Sequence, residues 1–209
     1  MIEVYIFNVD GWNESEVKGL LESLPEKVRA EITRYKVFKD QKLRLAARLI
    51  IRRYLLVNSY NVGLERWERG KENKPFIKGG PCFNISHSGS LVVVSFGKSD
   101  VGIDLEEEKQ MDMTSLSEYF HPEELEYIGT PPIDLSRFYK LWVRKEAFLK
   151  ALGKGVMGNL MGMNSLKSPI LVGDKSWSIQ TIEVGKGYHC AICSSETPIE
   201  VKITPIETF

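Results

Sequence analysis

The sequence predicts an α+β protein made of two halves with a similar order of elements, each combining helices with short strands. Three observations carry that expectation: short apolar segments of period two, longer stretches with apolar residues at three and four spacing, and no Pro-, Gly- or Ser-rich linker between the halves. Ile2, Val4 and Ile6 alternate with their neighbours and predict an opening strand, which Gly11 closes. Pro25 opens a helical stretch to about Tyr35. From Asp40 a longer helix carries Leu43, Ala46, Ala47, Ile50, Ile51, Tyr54 and Leu55 on one face and basic residues outside it. Lys74-Pro75-Phe76-Ile77, 82–86 and 91–96, parted by the turn residues Gly79-Gly80-Pro81, suit an antiparallel sheet.

The second half starts with Val101-Gly102-Ile103-Asp104-Leu105-Glu106, again alternating. A helix is expected at 114–120, and another where Pro122 fits the first helical position. The strongest helix signal runs from Asp134 to Leu152, where Leu135, Phe138, Leu141, Trp142, Phe148, Leu149 and Leu152 recur at helical spacing and Gly153 supplies a stop. Strands at 177–184, 188–193 and 199–203 complete the chain. No sequence repeat relates the halves.

A hydrophobic content of 43% in 209 residues excludes disorder, and 28 basic residues cancel 28 acidic ones. Apolar runs such as 91–94 fall far short of the roughly 20 residues of a membrane span. Met1-Ile2-Glu3 lacks the basic-then-apolar pattern of a signal peptide, and three cysteines are too few for a disulfide framework, so a cytoplasmic, membrane-free protein is expected. Cys190 and Cys193, three apart in a strand, face opposite sides and read as core. The neutral total conceals a division: residues 1–98 carry 17 basic and 11 acidic side chains, and residues 99–209 carry 11 and 17. Residues 27–53 hold ten of the former, and 100–126 ten of the latter. Two solvated faces explain most of these charges; a site for a polyanion that also takes a divalent cation produces the same pattern.

Asp104 and Glu106 stand two apart on a strand, so their carboxylates leave one face with Cα atoms roughly 6.5 Å apart. Hard oxygen donors in that arrangement suit Mg²⁺, although a lone D-x-E pair is more often a wet sheet edge. Glu146 lies opposite or at the margin of the apolar stripe of its helix, and Lys150 follows at i+4, which by itself describes an ordinary surface ion pair. Ser86 and His87 are adjacent on a strand and therefore poorly placed as nucleophile and base; a hydroxyl, an imidazolium and loop N–H groups suit an anion better. Gly153-Lys154-Gly155 is not a phosphate-binding loop, since it follows a helix rather than opening one, though Lys154 remains a candidate contact. His121 and His189 carry no assignment.

Taken together, Asn84-Ile85-Ser86-His87-Ser88, then Val101-Gly102-Ile103-Asp104-Leu105-Glu106, then Trp142-Val143-Arg144-Lys145-Glu146-Ala147-Phe148-Leu149-Lys150 resemble, in order and spacing, the signature set of the 4′-phosphopantetheinyl transferases. The resemblance spans about residues 74–154 and is closer to the long, surfactin-synthetase-activating type, which folds as two similar α+β halves in one chain, each a small antiparallel sheet packed with helices. It implies transfer of the 4′-phosphopantetheine arm from coenzyme A to a serine of an apo carrier protein, with release of adenosine 3′,5′-bisphosphate. It also implies Mg²⁺, or Mn²⁺, on Asp104, Glu106 and Glu146, with Glu146 taking the serine proton directly or through water. Ser86 and His87 match coenzyme A phosphate contacts, and Lys145 or Lys150 a pyrophosphate contact. For the remaining phosphate the basic stretch 27–53 offers Lys39 and Arg44, joined by Arg69 and Lys74 beyond it. Residues 1–98 would then bind coenzyme A and residues 99–209 would hold the metal and the catalytic groups, in a monomer. Val143 departs from the small polar residue often found after the motif tryptophan. Two other classes compete: a different Mg²⁺-dependent phosphoryl-transfer or phosphate-ester hydrolase enzyme, and a nucleic-acid binder using residues 27–53, which leaves the three carboxylates without a purpose.

Overall fold

The structure is a computed structural model that describes residues 1–70, 73–110, 118–129, 132–153, 161–196 and 199–209. Strand β1 (Ile2–Asn8) is followed by helices α1 (Glu14–Glu22), α2 (Glu26–Thr33) and α3 (Phe38–Val57). After a 3₁₀ turn at Leu64–Arg66 come β2 (Trp67–Arg69), β3 (Pro75–Ile77), β4 (Cys82–Ser88), β5 (Leu91–Gly97) and β6 (Val101–Glu107). Helices α4 (Pro122–Ile128) and α5 (Leu135–Leu152) lead to β7 (Ile170–Val172), β8 (Lys175–Thr181), β9 (Tyr188–Ser194) and β10 (Val201–Pro205). Pro122 does occupy the first turn of α4, and Gly153 ends α5 in the left-handed conformation at φ 65°. Helix α1 and strand β7 have no counterpart in the sequence expectations. The helix expected at 114–120 lies outside the described residues except for 118–120, as does Lys154.

The strands form two four-stranded sheets, in the order β10-β1-β5-β4 and β6-β9-β8-β7, with β2 and β3 pairing separately. All pairings are antiparallel except that of β1 with β10, where Ile2 stands opposite Val201 in a parallel register. The chain therefore crosses back over the division near residue 98 to finish in the first sheet. Four layers result. Helices α1 to α3 cover one face of the first sheet through Leu49, Ile50, Val92, Val94 and Phe96. Its other face, with Ile2, Val4 and Val93, meets Ile103, Leu105, Cys190 and Ile192 of the second sheet. Helix α5 closes the far side with Val143, Ala147 and Ala151 against Ala191 and Cys193. The two cysteines thus sit in different cores, on opposite faces of β9. Among the described residues no helix is long and apolar enough to cross a membrane.

Gly102 decides how closely α5 lies on β6. A Cβ there would fall on the backbone of Ala147 and Ala151, so no side chain fits without pushing the helix away. That contact carries Glu146 and Lys150 down onto the strand that bears Asp104 and Glu106.

Candidate active site

A cleft of about 550 Å³ opens between the two halves. One wall comes from α3 and the β2–β3 ribbon: Arg44, Arg48, Trp67 and Arg69, with Tyr35 beside them. The other comes from β6 and α5: Asp104, Glu106, Trp142, Glu146 and Lys150. Ser86 and His87, at the end of β4, lie between the walls. Eight of the residues chosen from the sequence therefore meet in one place.

The basic wall is built from side chains that the fold has already immobilised. Arg48 is 5% exposed, stacks its guanidinium 4.0 Å from the centre of the Trp67 ring, and places a nitrogen 3.7 Å from Glu31. Arg69 reaches the same carboxylate at 3.2 Å. Arg44 lies 3.6 Å over the ring of Tyr35. One carboxylate thus sits between two guanidinium groups, and Nε of Arg48 is buried without a hydrogen-bond partner. Burial pushes the Arg48 pKa down to about 10, with Glu31 opposing and Arg69 and Arg44 adding to the fall, which leaves the group charged at neutral pH. Sequence reasoning passed over Arg48 and Trp67. The available signal was Arg44 and Arg48 at i,i+4, with Arg48 set among apolar positions of α3, where a charge is expensive unless something uses it.

The acidic wall is held by side chains across the seam. Ser86 Oγ donates to Asp104 Oδ1 at 3.0 Å, and Lys150 Nζ donates to the same oxygen at 2.5 Å and to Ser86 Oγ at 3.0 Å. Ser88 Oγ donates to Glu106 Oε2 at 2.8 Å. Asp104 Oδ2 and Glu146 Oε1 are buried without partners. Burial raises the pKa of Glu146, and the charges of Asp104 and Glu106 raise it further. Burial likewise raises that of Glu106, with Asp104 adding to it while the Ser88 hydrogen bond and Lys150 oppose. Among the described residues no three Asp, Glu, His or Cys side chains are gathered closely enough to hold a metal ion as they stand. The donor chemistry nevertheless fits a hard cation: carboxylate oxygens on one wall, two of them buried and unpartnered.

Four expectations change. Lys145 does not face the cleft: its ammonium is fully buried, 2.7 Å from Glu124 Oε2 and 2.6 Å from the Met163 carbonyl. Lys74 turns into the neighbouring groove, where Nζ donates to the carbonyl of Lys150 at 2.8 Å and that of Val101 at 3.4 Å; it ties the ribbon to the end of α5 instead of lining the cleft. Lys39 is exposed in the first turn of α3, outside the cleft lining. His87 is not poised as an imidazolium, because burial lowers its pKa and the charges of Arg44 and Lys150 lower it further. The basic stretch 27–53 is also less of a free surface than its composition implied. Lys27 donates to Trp67 O, Lys42 to Trp12 O and Arg52 to Ser23, while Arg48 is buried.

Comparison with known proteins finds matches in both halves of the chain. A family model described as "4'-phosphopantetheinyl transferase superfamily" matches residues 100–200, and one described as "4'-phosphopantetheinyl transferase, N-terminal" matches residues 11–98. The chain is 30% identical over 205 residues to 4′-phosphopantetheinyl transferase gsp of Aneurinibacillus migulanus, covering 93% of this chain and 86% of that protein. It is 29% identical to 4′-phosphopantetheinyl transferase psf-1 of Bacillus pumilus, covering 79% and 76%. Against the L-aminoadipate-semialdehyde dehydrogenase-phosphopantetheinyl transferase of Xenopus laevis the identity is 25%, over 92% and 76%. A cleft whose walls are drawn from two α+β halves, with matches to both halves in register, places this chain in the 4′-phosphopantetheinyl transferase superfamily, as an enzyme of its longer type.

Proposed function

We propose that this enzyme moves the 4′-phosphopantetheine arm of coenzyme A onto a serine hydroxyl of an apo carrier protein, with Mg²⁺ as the metal and adenosine 3′,5′-bisphosphate as the second product. The observation that supports this most strongly is the meeting of two opposite walls in one cleft. Three guanidinium groups stand on one side, and carboxylates with two unpartnered buried oxygens on the other. A pyrophosphate bridged to a cation has both complements.

In the reaction the serine oxygen forms a bond to the phosphorus bearing the pantetheine arm. The bond from that phosphorus to the bridging oxygen breaks, and the pair of electrons leaves with the adenosine bisphosphate. Glu146 takes the serine proton, directly or through a water beside it. Lys150 and the guanidinium groups of Arg44, Arg48 and Arg69 neutralise phosphate oxygens, the interaction that supplies most of the rate in phosphoryl transfer. His87, neutral in the free protein, donates one hydrogen bond to a phosphate oxygen and gains proton affinity from the anion. Mg²⁺, held by Asp104, Glu106 and Glu146, would supply charge neutralisation at the phosphates. Residues 1–98 serve the coenzyme, while 99–209 supply the metal ligands, the base and, through Lys150, one further contact to the phosphates. Both walls come from one chain, which supports a protein that works as a monomer, and the use of coenzyme A and a carrier protein supports a cytoplasmic setting.

Incubation of the purified protein with coenzyme A, Mg²⁺ and a panel of apo carriers tests this by mass spectrometry. Gain of one phosphopantetheine on a carrier serine, suppressed by chelator, is expected; no gain on any carrier would sink the reading, and hydrolysis of coenzyme A without transfer would turn it to a hydrolase.

A further inference from the structure

Strands β4 and β6 are edges of different sheets that lie alongside each other without a backbone ladder. Side chains replace the missing acceptors. Asn84 Oδ1 accepts from the amide of Ile103 at 3.0 Å, Ser86 Oγ from Leu105 at 3.2 Å, and Ser88 Oγ from Glu107 at 3.0 Å. Alternate residues of one strand meet alternate amides of the other, which joins the halves with the period of a sheet. A hydroxyl has one hydrogen. Once its oxygen has accepted an amide from across the seam, that hydrogen is left for the acidic side chain alongside: Ser86 gives its own to Asp104, and Ser88 to Glu106. Asp104 is held by Lys150 as well, whereas among the described residues the side-chain donor on Glu106 is Ser88.

We propose that Ser88 is a positioning residue for cation binding: its hydroxyl, fixed by the Glu107 amide, sets the orientation of the Glu106 carboxylate toward the cleft. The proposal rests on the metal reading given above. Outer groups that orient metal ligands typically matter by 10- to 100-fold in affinity. Removing the Ser88 hydroxyl frees the carboxylate and takes the acceptor from the Glu107 amide, while the other two rungs of the seam remain.

The test is Mn²⁺ binding to the full chain with coenzyme A present, read from the loss of the free-ion paramagnetic resonance signal. Ser88→Ala is expected to weaken Mn²⁺ roughly 10- to 100-fold, with the wild-type circular dichroism spectrum retained, and Ser88→Thr, which keeps the hydroxyl, to return within about threefold of wild type. In transfer assays the Mg²⁺ concentration for half-maximal rate rises with the same factor in Ser88→Ala, and kcat at saturating Mg²⁺ stays within about twofold. Should Ser88→Ala fail to fold, Ser88→Cys, with its weaker donor, carries the same reading. Wild-type Mn²⁺ affinity in the folded alanine or cysteine variant, where Glu106→Gln binds weakly, overturns the proposal. Equal binding by wild type and Glu106→Gln overturns the metal reading beneath it, and the proposal with it.

Discussion

Lys145 and Lys150 stand on the same helix, each against a carboxylate, yet they occupy opposite kinds of surroundings. Behind α5, Lys145 and Glu124 are both fully buried. Every polar atom there is answered: the carboxylate of Glu124 also accepts from the amide and hydroxyl of Ser165 at 2.7 and 2.6 Å and from the amide of His121 at 2.8 Å, and the ammonium reaches the Met163 carbonyl. In front of α5, Lys150 keeps 30% of its side chain exposed while Asp104 is 5% exposed, and Asp104 Oδ2 has no partner. The first cluster is complete within the protein and binds α4, α5 and residues 163–165 together. The second is incomplete and faces a cleft, the condition under which a buried charge serves a ligand.

The largest expected effect comes from breaking the closed pair. Lys145→Met leaves Glu124 charged and buried, and should cost about 3–5 kcal/mol in a denaturant titration. Lys145→Met/Glu124→Gln, which removes both charges, should recover more than half of that. Lys150→Met should do the reverse: transfer falls about 100-fold, while the thermal midpoint with Mg²⁺ present moves by no more than about 2 °C. Equal destabilisation by the two substitutions would erase the distinction between the clusters. On the opposite wall, Arg48→Leu should raise the KM for coenzyme A about tenfold with a smaller change in kcat, since a charge-assisted hydrogen bond of about 1.5 kcal/mol is lost. A change confined to kcat would remove Arg48 from the binding wall.

The smallest effect concerns pH. Glu146 and Glu106 have folded-state pKa values above their ordinary ones, so ionising them works against the fold. That penalty is present above the folded pKa and is relieved as pH falls toward the unfolded one. In chelator, Glu106→Gln should therefore raise the thermal midpoint slightly at neutral pH, with the gain vanishing on acidification; a midpoint lowered at neutral pH would contradict the crowding of these carboxylates.

Legibility in the sequence followed the range of the interactions. Helix α5 was readable because its apolar stripe is long, Asp134 caps it by accepting from the Arg137 amide at 3.0 Å, and Gly153 stops it. Helix α1 escaped although Asn13 and Glu16 form a reciprocal capping box, because it buries only Val17 and Leu21 and so shows little periodicity. Strand β7 has three residues at a sheet edge, one of them Leu171 at 74% exposure. The carboxylates of β6 could be placed on one face from period two alone. Lys145 and Lys150 could not be told apart in that way, since the difference lies in what α4 and residues 163–165 bring to the back of the helix. Lys74, likewise, reads as one more basic residue until the last turn of α5 is seen beside it.

Glu146 is where the two walls, the metal reading and the proton meet, and Glu146→Gln changes its charge with almost no change in shape. Single-turnover transfer from coenzyme A to an apo carrier, followed by mass spectrometry with Mg²⁺ saturating, should fall at least about 10³-fold in this variant while its denaturation midpoint stays at or above that of the wild type. Turnover within tenfold of the wild type would contradict the assignment of Glu146 as the base and the placement of the reaction in this cleft.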